Sequence, residues 1–404
     1  MNTKKKRITE KQIRKEDIGI KVSELIKLLD VNNLITKDLL KELEIEKIKS
    51  DFIPIKGATA LYDSQLILKE SFLKVDLLSK LKDISFYDDD EFAFNFNNVN
   101  DSLNFPNIKK ISALPLYSAH RDFFGNLFNM DKYAKSLIAN NQKDIVNKNL
   151  ELLKQVKKIE KRYRLILNKE DQRYYLRAIV SKDNYYDYNN SVAVVVGLIT
   201  LYSEMKKSGI DYSLRFCEYN ESYIRMIFDT NETQELEGIG SVKNIVEISN
   251  DEIKREALKF YGICSIIYND KKVEGEIFIK PTDIKTKIFS IKHNQKPETA
   301  IKTLAEIDNT SKVHTELYKD IQTIKNIKNT EQIKFIVKRK IENSKNEDLK
   351  NYQSKIISET TTTSTKNIID LLKLFNKIQI LADEDIEASE YIRFVFYEAL
   401  INKR

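Results

Sequence analysis

Four arginines, Arg162, Arg164, Arg173 and Arg177, fall within sixteen residues of a chain that holds only thirteen. Six of its twenty tyrosines lie in or just beyond the same stretch: Tyr163, Tyr174, Tyr175, Tyr185, Tyr186 and Tyr188. Arginine presents a planar fork to phosphate and stacks on bases. Tyrosine offers a flat face to an unpaired base. Together they point to binding of a single nucleic-acid strand. The stretch reads as a hairpin, with strands near 162–167 and 173–181 around the polar turn 168–172. In the second strand Tyr174, Leu176, Ala178 and Val180 alternate with Arg173, Tyr175, Arg177, Ile179 and Ser181. That period predicts one packed face and one face of arginine and tyrosine. The candidate binding residues are therefore Arg162, Arg164, Arg173, Tyr175, Arg177, Ser181, Tyr185 and Tyr186.

Charge supports the choice of region. The chain carries a formal +7. Residues 143–182 alone hold twelve Lys or Arg against five Asp or Glu, and residues 1–15 hold seven against one. Acidic stretches at 88–91 and 229–252 balance them, so the chain is polarised and offers phosphates a basic patch.

Other chemistries lack their residues. The three histidines, His120, His293 and His314, are far apart, and no His-Glu-x-x-His pair occurs. Cys217 and Cys264 are too few for a disulfide scaffold or a structural zinc site, and their context is that of small core residues. Nine glycines form no phosphate loop. Glu274, Glu276 and Lys280 share a strand near 274–280 without the spacing of a nuclease, as a charged edge strand would. The carboxylates at 88–91 lack the spacing of a calcium loop. No catalytic residue, cofactor or metal is expected, and His120 reads as a partly buried side chain near the start of a helix.

The elements that must hold the hairpin are mixed. The chain is expected to be α+β, an antiparallel sheet of hairpins with packed helices, followed by a mainly helical C-terminal region. Residues 1–16 read as a basic flexible tail and 17–110 as a helical and mixed region. Within it lie short helices near 17–30 and 36–49, a helix near 64–82 and a strand at Phe92, Phe94 and Phe96. The α+β core spans 111–295. Pro115 opens a helix running to about 128, and a nearly apolar helix follows at 191–207. Residues 296–357 are charged and helical, 358–366 a Thr-rich linker, and 367–404 a helical pair. The longest apolar run, 192–201, is far short of the ~20 residues that span a membrane. Residues 1–7 are basic with no apolar stretch after them, so a cytoplasmic, reducing location is expected.

Residues 112–230 resemble a known family. Ala113-Leu114-Pro115-Leu116-Tyr117-Ser118-Ala119-His120 opens a helix, and Met130-Asp131-Lys132-Tyr133 follows. Arg162-Tyr163-Arg164-Leu165-Ile166-Leu167 comes after a spacer. Leu176-Arg177-Ala178-Ile179-Val180-Ser181 then leads to Tyr185 and to Tyr188-Asn189-Asn190 before the apolar helix. This order is similar to the phage- and plasmid-type proteins of domain of unknown function, family 932. Asn189 stands where that family has Asp, one residue is inserted before the tyrosine, and the family's later glycine-rich segment is missing. The resemblance implies a mobile-element protein working among replication and recombination genes, with single-stranded DNA binding or strand annealing as the expected role and homo-oligomers as its form. The alternative is a phage structural or interaction protein, a virion component or an inhibitor of host defence. Such a protein would contact a host or phage partner through residues 297–404.

Overall fold

The computed structural model describes residues 5–31, 33, 35–88, 92–97, 99, 109–156, 159–253, 256–270, 273–281, 286–383 and 385–402. The protein is α+β, as its sequence leads one to expect. Fifteen strands, β1 to β15 in chain order, build two large sheets and one two-stranded ribbon among the described residues.

The larger sheet curls into a half-barrel. Its order is β1 (Lys6–Thr9), β10 (Tyr212–Tyr219), β11 (Tyr223–Leu236), β12 (Gly240–Asp251) and β13 (Glu256–Asp270), with β14 (Val273–Ile279) and β15 (Lys287–Lys292) both paired to β13. Every pairing is antiparallel. The smaller sheet runs β4 (Phe72–Lys80), β8 (Glu160–Asn168), β9 (Arg173–Val180), β7 (Lys110–Pro115), β6 (Phe92–Asn97) and β5 (Ile84–Asp88). Only β7 and β9 are parallel there. The ribbon pairs β2 (Ile20–Lys21) with β3 (Phe52–Ile53).

Each sheet buries one face in its own core. Phe94, Phe96, Tyr163, Leu165 and Leu176 of the smaller sheet pack with Phe123, Phe124 and the helices Asp131–Ala139 and Lys143–Val156. His120 belongs to this cluster, tilted against Phe92 and Phe124, and burial lowers its pKa. The larger sheet carries the helix Asn190–Ser208 on Met226, Phe228, Val246 and Ile248. That helix is apolar nearly all round because the N-terminal helices cover its other side. Asn189 caps its start by accepting from the Val192 amide at 3.0 Å, and Gly209 ends it in the left-handed conformation. Further along the same sheet face, Cys264, Ile266 and Ile277 pack with the helices Thr330–Glu342, Ile368–Leu381 and Ile386–Tyr397.

Several boundaries differ from the sequence reading, each for a physical reason. Residues 6–9 are not a flexible tail: they pair with β10, Ile8 facing the core. Residues 1–4 lie outside the described residues. The expected helix at 64–82 is the helix Ala58–Ser71 followed by β4, where the alternation of Val75 and Leu77 wins. Pro115 ends β7 rather than opening a helix, and the helical turns begin at Ala119. The Thr-rich linker is helical through Thr362: Ile356 and Thr360 are buried on its packed side, and the hydroxyls of Thr360, Thr361 and Thr362 donate to carbonyls one turn back. Of the acidic stretch 88–91, Asp88 ends β5, and residues 89–91 lie outside the described residues.

Gly57 precedes the helix Ala58–Ser71 at φ +90°, and a Cβ there would stand 2.6 Å from Leu214 Cβ. Gly57→Ala should therefore lower stability by about 1–3 kcal/mol; a urea melt within 0.5 kcal/mol of wild type would contradict that.

Candidate functional site

The arginine hairpin forms as β8 and β9, but its polar face is closed. Arg164 lies opposite Asp76 across the β4–β8 pair and donates to its carboxylate at 3.1 Å. It also donates to Asp187 at 2.5 Å, to the Glu252 carbonyl at 2.6 Å and to the Tyr185 hydroxyl. Arg177 is fully buried and donates to Glu252 Oε2 at 2.8 Å and Ser222 Oγ at 3.0 Å. Glu252 Oε1 accepts from Lys74 Nζ at 2.5 Å and from the Asn190 amide at 2.8 Å. Burial alone would raise the Glu252 pKa; Lys74, Arg177 and Arg164 overcome it and hold the carboxyl well below its ordinary range.

The other candidates divide. Tyr175 is buried, its hydroxyl donating to Asp171 at 2.7 Å. Tyr185 stacks on His293 with ring centroids 4.7 Å apart. Burial pushes its hydroxyl pKa up, and that group donates to the Glu252 carbonyl at 2.9 Å. Tyr186 is half-buried and tied through its backbone to His293. Arg162 is half-buried and donates to the Lys182 carbonyl at 3.2 Å. Arg173 and Ser181 are exposed. The expectation of an open stacking face is thus corrected at Arg164, Arg177 and Tyr175. Arginine inside a sheet needs carboxylates, and Glu252, Asp76 and Asp187 supply them.

A second charged cluster lies on the face of the larger sheet opposite its long helix, and it is open. Arg7, Thr9, Arg215, Phe216, Glu218, Arg225, Asp383, Ser389 and Arg393 surround a cavity of about 170 Å³. β1, β10 and β11 form one wall, and the helix Ile386–Tyr397 forms the other. Lys5 of the chain's first described residues bridges the two by donating to Glu387 at 2.6 Å. Ile227, Ile245, Tyr261 and Ile263 make an apolar patch on the same sheet face, with Phe216 and Phe278 packed against it.

Nearly all the cations here have a carboxylate. Arg7 donates to Glu218 at 2.7 Å. Arg215 grips Glu276 with two nitrogens, at 2.6 and 3.0 Å, and Asp229 at 2.6 Å. Arg225 and Lys280 share Glu247 at 2.7 and 3.1 Å, and both reach Glu390. Arg393 is the exception: it packs over the Phe278 ring, 4.8 Å from its centroid, with no ion pair among the described residues. Burial and the nearby Arg225 push its pKa down to about 10. Glu218 Oε2 and Arg225 Nε also lack partners among the described residues, and burial raises the Glu218 pKa. The cavity thus gathers an unpaired guanidinium, a free donor and a carboxyl biased towards its protonated form.

The sequence reading missed this cavity. Its arginines stand singly in apolar runs: Leu214-Arg215-Phe216, Ile224-Arg225-Met226 and Ile392-Arg393-Phe394. A lone arginine in a buried strand or helix was the available signal. Among the described residues no three His, Cys, Asp or Glu side chains gather as a metal would require, and no helix is long and apolar enough to cross a membrane. Glu276 and Lys280, weighed above as nuclease residues, are spent on Arg215, Glu247 and Glu390. No protein-family model, curated protein or solved structure matches the chain.

Glu252→Gln keeps the shape and removes the charge, leaving Lys74 and Arg177 without their counterion. It should cost about 3–5 kcal/mol in urea melts at pH 7. Because Glu252 titrates lower when folded, its contribution is complete above the unfolded pKa of about 4.3 and is lost as pH falls below it. The gap between wild type and variant should therefore narrow in acid; a gap independent of pH would show that the charge is not what matters.

Proposed function

We propose that this protein binds single-stranded nucleic acid, DNA in the first instance, and does not act on it chemically. The observation that carries the reading is the unpaired Arg393 facing a cavity shared with Arg7, Arg215 and Arg225. Among the described residues no ion pair holds the buried Arg393 guanidinium, although Glu247, Glu390 and Glu218 favour its charge from a distance, and a phosphate is the anion its fork fits best. The basic N-terminal stretch supports the same reading, because β1 places Arg7 in the cavity's wall. A flexible single strand can bend a phosphate into a recess, whereas duplex phosphates are held on a stiff rod. The exposed cations Lys169, Arg173 and Lys182 of the hairpin region offer further, non-specific attraction. The resemblance of residues 112–230 to phage and plasmid proteins makes replication and recombination intermediates the first substrates to try.

Fluorescence anisotropy with labelled single-stranded DNA, duplex DNA and single-stranded RNA, across a salt series, tests this. Single-stranded DNA should bind most tightly, with affinity falling as salt rises. Removing one phosphate contact by Arg393→Met should reduce the salt slope by about 0.7. No binding at low salt would sink the reading. It would turn attention to protein partners, beginning with the exposed Phe335 and Ile380 of the C-terminal helices.

A further inference from the structure

We infer that the arginine-lined cavity is a site for a phosphate monoester, the dianionic group found at the end of a phosphorylated strand, rather than for the internal phosphodiesters along it. The inference rests on the reading of this cavity as the phosphate anchor, and it specifies which phosphate enters.

Three features of the cavity support a terminal group. The first is size. At about 170 Å³ the cavity is smaller than the roughly 300 Å³ at which pockets begin to enclose drug-sized ligands, so it holds a phosphoryl group but not a nucleoside with it. The second is the placement of charge. Guanidiniums face it from both walls: Arg7, Arg215 and Arg225 from the sheet and Arg393 from the last helix. A monoester spreads its charge over three peripheral oxygens and can be met from both sides. A diester has only two such oxygens, and its chain must leave in two directions. Here the Lys5–Glu387 ion pair ties the start of the edge strand to the helix that forms the opposite wall.

The third feature is the pattern of unmet hydrogen bonds. Arg225 Nε is a donor without a partner among the described residues, Arg393 is a cation without a carboxylate, and Glu218 Oε2 is bare. A monoester's oxygens accept from Arg393, with Arg7 and Arg215 on the opposite wall. The paired carboxylates Glu247, Glu276 and Asp229 stay with Lys280, Arg215 and Lys243, so the incoming group need not displace an existing ion pair.

The test uses the full chain and short oligo-dT strands labelled at the opposite end. Strands carry a 5′-phosphate, a 3′-phosphate or hydroxyls at both ends. Methyl phosphate and inorganic phosphate are run as competitors and as thermal-shift ligands at matched ionic strength. A phosphorylated end should bind at least about tenfold tighter than hydroxyl ends. Arg393→Met should abolish the difference, so that phosphorylated and hydroxyl-ended strands bind the variant within about twofold of each other. Its melting temperature should fall by no more than a few degrees, since the guanidinium gives up its contact with the Phe278 ring but no ion pair. Methyl phosphate should raise the wild-type melting temperature and leave the variant's unchanged, which needs no oligonucleotide.

The outcomes separate this inference from the one beneath it. Equal affinity for phosphorylated and hydroxyl ends, with no shift from methyl phosphate, overturns the monoester site and leaves strand binding standing. A methyl phosphate shift lost in Arg393→Met, without binding of any oligonucleotide, supports the site and removes the nucleic-acid reading. No response to phosphate in any form overturns both.

Discussion

The carboxylate of Glu252 stands where three parts of the chain meet. It closes β12 of the larger sheet, pairs with Lys74 and Arg177 of the smaller sheet, and accepts from the first amide of the long helix. Its carbonyl takes Arg164 and Tyr185 as well. Two sheets with separate apolar cores need something other than a shared core to fix their relation. Apolar contact would hold them together without choosing a register. A buried ion cluster is different, because a misplaced partner leaves a charge stranded at a cost of several kcal/mol. The cluster therefore acts as a directional lock, and the positions of the half-barrel, the long helix and the arginine hairpin follow from it.

The two charged clusters share ingredients and differ in closure. Around Glu252 each arginine reaches a carboxylate and backbone carbonyls take up further donors, although Arg177 Nε and Nη2 have no partner among the described residues. Across the larger sheet Arg7 pairs with Glu218; Arg225, Glu247, Lys280 and Glu390 form a separate chain of pairs; and Arg393 makes no ion pair with either among the described residues. Burial has opposite meanings in the two places. In the first it strengthens pairs already made. In the second it leaves a cation in a poorly hydrated recess, which lowers its pKa and readies it for an anion. A closed network reads as architecture. One that leaves a guanidinium unpaired beside a cavity reads as a binding site.

Much of the fold was legible in local pattern. The alternation of β8 and β9, the polar turn between them and the all-round apolarity of 191–207 each dictate an element. Cys217 reads as a core residue and is one, its thiol pKa pushed up by burial. Where pattern was ambiguous, context decided. Residues 72–80 suit a helix or a strand, and nine cross-strand partners on β8 make them a strand. Residues 6–9 look like a solvated basic tail, and pairing with β10 makes them an edge. Threonines 360–362 look like a linker until their hydroxyls close on the preceding turn.

By itself the sequence determined the class of fold, the main hairpins and the gathering of arginine and tyrosine at 162–188, because period, turn residues and composition are local properties. Which arginines face a ligand was decided by tertiary structure alone. Glu252 is seventy-five residues from Arg177, and Arg393 reaches its cavity only because the last helix folds back over strands some 170 residues earlier. A guanidinium looks the same in sequence whether a carboxylate meets it or not. The partner's distance along the chain carries no local trace, so the paired and the unpaired arginine part company only once the two sheets and the final helix have closed.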